Sequence, residues 1–187
     1  LYYFYYLDQK RRGYIPAAGF SLHGCLAYIL IFGMALSVLG NYMVEALGLT
    51  EMSVSYKEAE SYLYSPPFPV QVLASGLVIP FAEEVIFRGL GFASLREKLP
   101  FWLSAVLSAA LFGLYHGNLP QGVYAFFIGL ALAWLYEVSG TLPAPYLFHV
   151  SANLLSLFVM NTGRLNSLFH TDRRPVLAAA SAAVSVI

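Results

Sequence analysis

The chain has 187 residues, of which 59% are hydrophobic and 11% charged, and its ten basic and ten acidic residues cancel. A soluble domain carries roughly 25% charged residues and could not hide so much apolar surface, because much of its own surface still meets water. The balanced charge argues against a nucleic-acid partner, and the single cysteine, Cys25, excludes a disulfide framework and a Cys-rich metal site.

The aromatic run from Leu1 to Leu7 reads as the end of an earlier helix. Gly13 to Val44 contains no Asp, Glu, Lys or Arg. A spanning helix needs about 20 apolar residues, so one span is expected over about 19–46. Residues 48–65, with Glu51, Lys57, Glu58 and Glu60, read as a polar, partly amphipathic loop. Pro66, Pro67 and Pro69 set the entry to a helix expected over about 70–95, and Pro80 inside it predicts a kink just before Glu83 and Glu84. The charge-free stretch from Leu99 to Tyr136 is too long for one span. Its Gly117-Asn118-Leu119-Pro120 turn signal divides it at about 99–116 and 121–138. A last span is expected over about 145–161, and the tail Pro175–Ile187 is apolar but shorter than a span.

These elements predict an all-α, polytopic transmembrane helix bundle, with residues 1–187 forming one domain and the functional core within 70–162. The chain begins at Leu1 without a methionine and stops inside an apolar stretch, so further spans are expected outside it, first at the N-terminus and then at the C-terminus. Lys10, Arg11, Arg12, Arg96 and Lys98 fit one cytoplasmic face, whereas Arg164, Arg173 and Arg174 fall on the other, so the orientation stays open.

Glu83, Glu84 and Arg88 are the only charges between Ser61 and Leu95. Each costs about 2.5–3.5 kcal/mol at mid-membrane, so together they demand about 8–10 kcal/mol of compensation and must face protein or water rather than lipid. Glu84 and Arg88 lie four apart and can pair, while Glu83 points about 100° away around the helix. His116 ends the third span, and His149 and Asn153 share one face of the fifth. Small residues such as Gly89, Gly91, Gly113 and Gly129 let the helices approach closely. Convergence of these groups predicts one polar cavity within the membrane. The bland alternative for Glu84–Arg88 is an ion pair that only holds helices together.

No His-Glu-x-x-His is present, the only aspartates are Asp8 and Asp172, and no Gly-x-Ser-x-Gly occurs. A carboxylate and imidazoles acting on water remain. Glu83 suits a general base, His116 can hold the same water and pass its proton to a leaving amine, and His149 with Asn153 can donate towards an oxyanion. Arg88 would orient Glu84 and offset the charge of the glutamate pair.

Glu83-Glu84-Val85-Ile86-Phe87-Arg88 resembles the Glu-Glu-x-x-x-Arg motif of the CAAX prenyl endopeptidase and bacteriocin-processing family, CPBP or Abi. Phe112-Gly113-Leu114-Tyr115-His116 resembles its Phe-x-x-x-His motif, and His149-Val150-Ser151-Ala152-Asn153 its His-x-x-x-Asn motif, in the same order. The resemblance implies an intramembrane endopeptidase of a bacterial plasma membrane, cleaving a membrane-associated peptide or protein such as a prenylated CAAX tail or a leader peptide. It assigns Glu83 and His116 to water activation, His149 and Asn153 to the oxyanion hole, and Glu84 and Arg88 to support. No cofactor is expected. The alternative is a divalent metal such as zinc on Glu83, His116 and His149. A non-catalytic immunity or scaffold protein of the same family is the competing function, and a proton-relaying transporter a third.

Overall fold

A computed structural model describes residues 2–12 and 21–162. The apolar tail, with Arg164, His170, Asp172, Arg173 and Arg174, lies outside the described residues. Among those described, every regular element is a helix: α1 (Tyr2–Arg12), α2 (Leu22–Ala46), α3 (Leu49–Met52), α4 (Val54–Tyr64), α5 (Phe68–Arg96), α6 (Phe101–Tyr115), α7 (Leu119–Ser139) and α8 (Pro143–Thr162). Four of them, α2, α5, α7 and α8, are long and apolar enough to cross a membrane. The protein is a multi-pass integral membrane protein, and exposed Ile31, Leu73, Leu111 and Phe127 make an apolar outer surface suited to acyl chains.

Local chemistry sets the helix ends. Ser21 caps α2 by accepting from the Gly24 N–H at 3.2 Å. Asn118 caps α7 by accepting from the Gln121 N–H at 3.0 Å, with Pro120 in the first turn, where its missing N–H costs nothing. Gly117 and Gly140, at φ 72° and 62°, make the turns on either side of α7.

Two expectations change. Helix α6 has only 15 residues; at about 1.5 Å per residue it is shorter than a hydrocarbon core of about 30 Å. Pro100 and the left-handed Gly117 bound it. Residues 48–65 are mostly helical rather than a loop. Ser53 caps α4 by accepting from the Tyr56 N–H at 3.2 Å. Tyr56, Glu60, Leu63 and Tyr64 then share one helical face, which turns towards the bundle.

Helix α5 is central, touching α1, α6, α7 and α8, while α8 lies along α2 and α6 forms an antiparallel pair with α7. Pro80 does not end α5. Wide, π-helical turns occupy Val72–Val78 upstream of it and Val85–Phe92 downstream, and the α-helical stretch Ile79–Glu84 between them carries the glutamates.

Close approaches depend on small residues. A Cβ on Gly33 of α2 would collide with the Phe148 carbonyl and the Ser151 hydroxyl of α8. Ser37 hydrogen-bonds the Ser156 hydroxyl at 3.0 Å, and Ser151 donates to the Leu30 carbonyl at 3.0 Å, so the α2–α8 contact is polar as well as tight. Gly33→Ala should therefore destabilise the bundle by about 1–3 kcal/mol in thermal unfolding in detergent. Gly24→Ala, where the added methyl meets only Ser21 in ordinary contact, should leave the midpoint unchanged.

Candidate active site

The glutamate pair sits where α5 meets α8 and α7. Glu84 and Arg88, one turn apart on α5, are both fully buried, and Arg88 Nη1 donates to Glu84 Oε1 at 3.1 Å. Its Nη2 donates to the Gly129 carbonyl of α7 at 3.3 Å, and its Cζ lies 4.3 Å from the centroid of the Phe112 ring. Gly129 makes room for this, because a Cβ there would come within 3.2 Å of Nη2. The guanidinium therefore ties α5 to α6 and α7 as well as to Glu84.

His149 adds the third partner. Its Nδ1 is 2.9 Å from Glu84 Oε1, the same oxygen that accepts from Arg88, and its Nε2 is 3.7 Å from Glu83 Oε2. The imidazole thus bridges the two carboxyl groups, an arrangement that spacing along α5 alone does not reveal. The separation from Glu83 is too long for a direct hydrogen bond and suits a shared water.

His116 lies just beyond the last turn of α6. Its Nδ1 is 2.8 Å from the Phe112 carbonyl. A carbonyl only accepts, so Nδ1 carries the proton and, in the neutral ring, Nε2 keeps its lone pair. Phe112 packs edge-on against both imidazoles, at 4.9 Å from His116 and 5.8 Å from His149. Asn153 donates from Nδ2 to the Ser75 carbonyl of α5 at 2.9 Å.

A cavity of about 290 Å³ joins these groups: Glu83, His116, His149 and Asn153 all line it. Glu84 and Arg88 lie behind it, buried and outside its wall. Tyr56, Glu60 and Tyr64 of α4 line it as well, together with Asn41, Gln121, Tyr124 and Ser156. Burial first, then the carboxylates of Glu60 and Glu45, push the Tyr56 phenol up to about 12, so it stays a neutral hydrogen-bond donor. None of these further polar groups belongs to the three motifs. Asn41 and Gln121 stand out only as amides in charge-free stretches, and α4 is concealed by its exposed Lys57 and Glu58.

Among the described residues, no three His, Cys, Asp or Glu side chains are grouped to hold a metal ion. Nδ1 of His116 is engaged by a backbone carbonyl and Nδ1 of His149 by Glu84. The Glu83, His116 and His149 set considered as zinc ligands is not such a group among the described residues, although the engaged Nδ1 atoms leave both Nε2 atoms available.

Residues 65–155, which hold all three motifs, match the model of the family described as Type II CAAX prenyl endopeptidase Rce1-like. Among curated proteins, the chain is 24% identical over 146 residues to the "Putative membrane peptidase YdiL" of Bacillus subtilis (strain 168). That alignment covers 78% of this chain and 59% of the relative, so the chain spans less than two thirds of that protein's length. No solved structure matches the chain.

Loss of one partner from the buried cluster should be costly. Arg88→Ala leaves Glu84 without its cation and is expected to cost about 3–5 kcal/mol of stability. Arg96 pairs with Glu137 at 2.6 Å, both about one-third exposed, and Arg96→Ala should cost no more than about 1 kcal/mol in the same thermal assay.

Proposed function

With residues 65–155 taken as a member of the Rce1-like family of CAAX-type membrane peptidases, we propose that this chain hydrolyses a peptide bond of a membrane-associated substrate, without metal, using Glu83, His116, His149 and Asn153. The observation that carries this reading is the single cavity lined by all four side chains, which come from α5, the end of α6, and α8.

Glu83 takes a proton from water as the oxygen attacks the amide carbonyl carbon. The lone pair on His116 Nε2 accepts a hydrogen bond from that water, then takes up the proton from the Glu83 carboxyl group and passes it to the leaving amine as the C–N bond breaks, which leaves Glu83 ionised again. Negative charge on the carbonyl oxygen meets the Nε2–H of a His149 ring that carries a proton on each nitrogen, with Nδ1–H held by Glu84, and the second N–H of Asn153, whose first N–H is bound to the Ser75 carbonyl. Arg88 and Glu84 hold the His149 ring from behind, so its donor needs little reorganisation. The substrate is a peptide that reaches the cavity from the membrane, with a prenylated CAAX tail or a leader peptide as the two chemistries to compare.

The deciding assay incubates a membrane-peptide library with wild-type protein and with Glu83→Ala in detergent or vesicles. Cleavage is expected from wild type alone, with the variant reduced at least about a hundredfold. Equal cleavage by both, or by neither, would remove the assignment. Activity is also expected to persist in EDTA or 1,10-phenanthroline; complete loss restored by zinc would replace this mechanism with a metal-dependent one.

A further inference from the structure

The strongest unexplained feature beside the site is the bond between Asn153 and a backbone carbonyl in the middle of a helix. Carbonyls inside a helix normally accept from the N–H four residues on, or five residues on in a π turn. The wide turns of α5 run up to Ile79, whose N–H reaches back five residues to the Ala74 carbonyl. The next rung of the same ladder would join residue 80 to Ser75. Residue 80 is proline and has no N–H. The Ser75 carbonyl is therefore released from that rung, and the Asn153 amide occupies it at 2.9 Å.

We infer that Pro80 is a positioning residue for the reaction: by withholding one backbone donor, it gives Asn153 a fixed acceptor and so aims the rest of that amide into the cavity. Ser75, Asn153 and Glu83 all line the same cavity. An Asn amide has two N–H groups. With one bound to Ser75, the plane of the amide is set and the second can be presented to the substrate oxygen. Pro80 also precedes Glu83 by three residues on the same α-helical stretch. The catalytic half of this inference rests on the hydrolase reading above; the structural half does not.

Two measurements separate them. The first needs no activity: thermal midpoints in detergent for wild type, Pro80→Ala, Asn153→Ala and the double variant. Asn153→Ala alone strands the Ser75 carbonyl, whereas in the Pro80→Ala background the new N–H satisfies it. The midpoint loss from Asn153→Ala is expected to fall by at least half in that background. An equal loss in both backgrounds overturns the inference.

The second measures peptide cleavage. Pro80→Ala should lower kcat by about tenfold with KM unchanged, because an oxyanion donor acts in the transition state rather than in substrate binding. An ester linkage at position 80, made with the α-hydroxy analogue of alanine, also lacks the donor and should restore kcat. An ester variant as impaired as Pro80→Ala would assign the effect to the proline ring and overturn the role of the missing N–H. If wild type cleaves nothing while the thermal coupling is present, the hydrolase reading fails and the Pro80–Asn153 coupling stands. If Glu83→Ala abolishes cleavage while no coupling is found, the reverse holds.

Discussion

One buried oxygen, Oε1 of Glu84, is the point on which the bundle depends. It receives Arg88 from its own helix at 3.1 Å and faces His149 of α8 at 2.9 Å, with no exposure to solvent. A carboxylate in such a place is tolerable only with good partners, because taking it out of water costs several kcal/mol. Each partner in turn fixes something else. Arg88 reaches the Gly129 carbonyl on α7 and lies over Phe112 on α6, and His149 turns its other nitrogen towards Glu83. The charge that is dangerous in a lipid-embedded helix therefore defines how four helices meet. The structural-glue reading of Glu84–Arg88 and the proposed role of Glu83 belong to one arrangement, since the ion pair holds the His149 ring beside Glu83.

Much of this was legible in the sequence, and the reasons are physical. Charge-free runs mark helices that must face lipid, so the long spans of α2, α5, α7 and α8 follow from where Asp, Glu, Lys and Arg are missing. Polar residues inside such runs are too costly to be incidental, which singles out Glu83, Glu84, Arg88, His116, His149 and Asn153. What they do to one another was less legible. Spacing along α5 places Glu84 with Arg88 but says nothing about which carboxyl group an imidazole on α8 will meet, because that depends on helix rotation and crossing. The bridging of both glutamates by His149 is a tertiary fact.

Helix α4 shows the opposite failure. Glu51, Lys57, Glu58 and Glu60 make residues 48–65 look solvated, yet Tyr56, Glu60, Leu63 and Tyr64 recur at helical spacing and line the inner cavity. Lys57 and Glu58 are exposed on the outer side of the same helix. An amphipathic helix at a membrane edge has the average composition of a loop, and only its period distinguishes the two. The short α6 departs from the expected span for a related reason: apolar composition reports that a segment avoids water, not that it is long enough to cross the bilayer.

The π turns of α5 show how a membrane helix can place functional groups without breaking. Inside a bilayer an unpaired carbonyl has no water to turn to, so a proline in a spanning helix obliges some neighbouring donor to compensate. A donor that answers the call is held in place by the same need. In this bundle the answering group is Asn153, one turn beyond the His149 that bridges the glutamates, so the defect in α5 fixes the register of α8 against it. The wide turns on both sides of Ile79–Glu84 add to this by rotating the glutamate-bearing stretch away from a uniform helical path. The irregular stretch Val72–Val78 reaches the cavity through Ser75, among side chains supplied by the regular helices α2, α4, α7 and α8, and it is one of these, Asn153, that satisfies the irregularity.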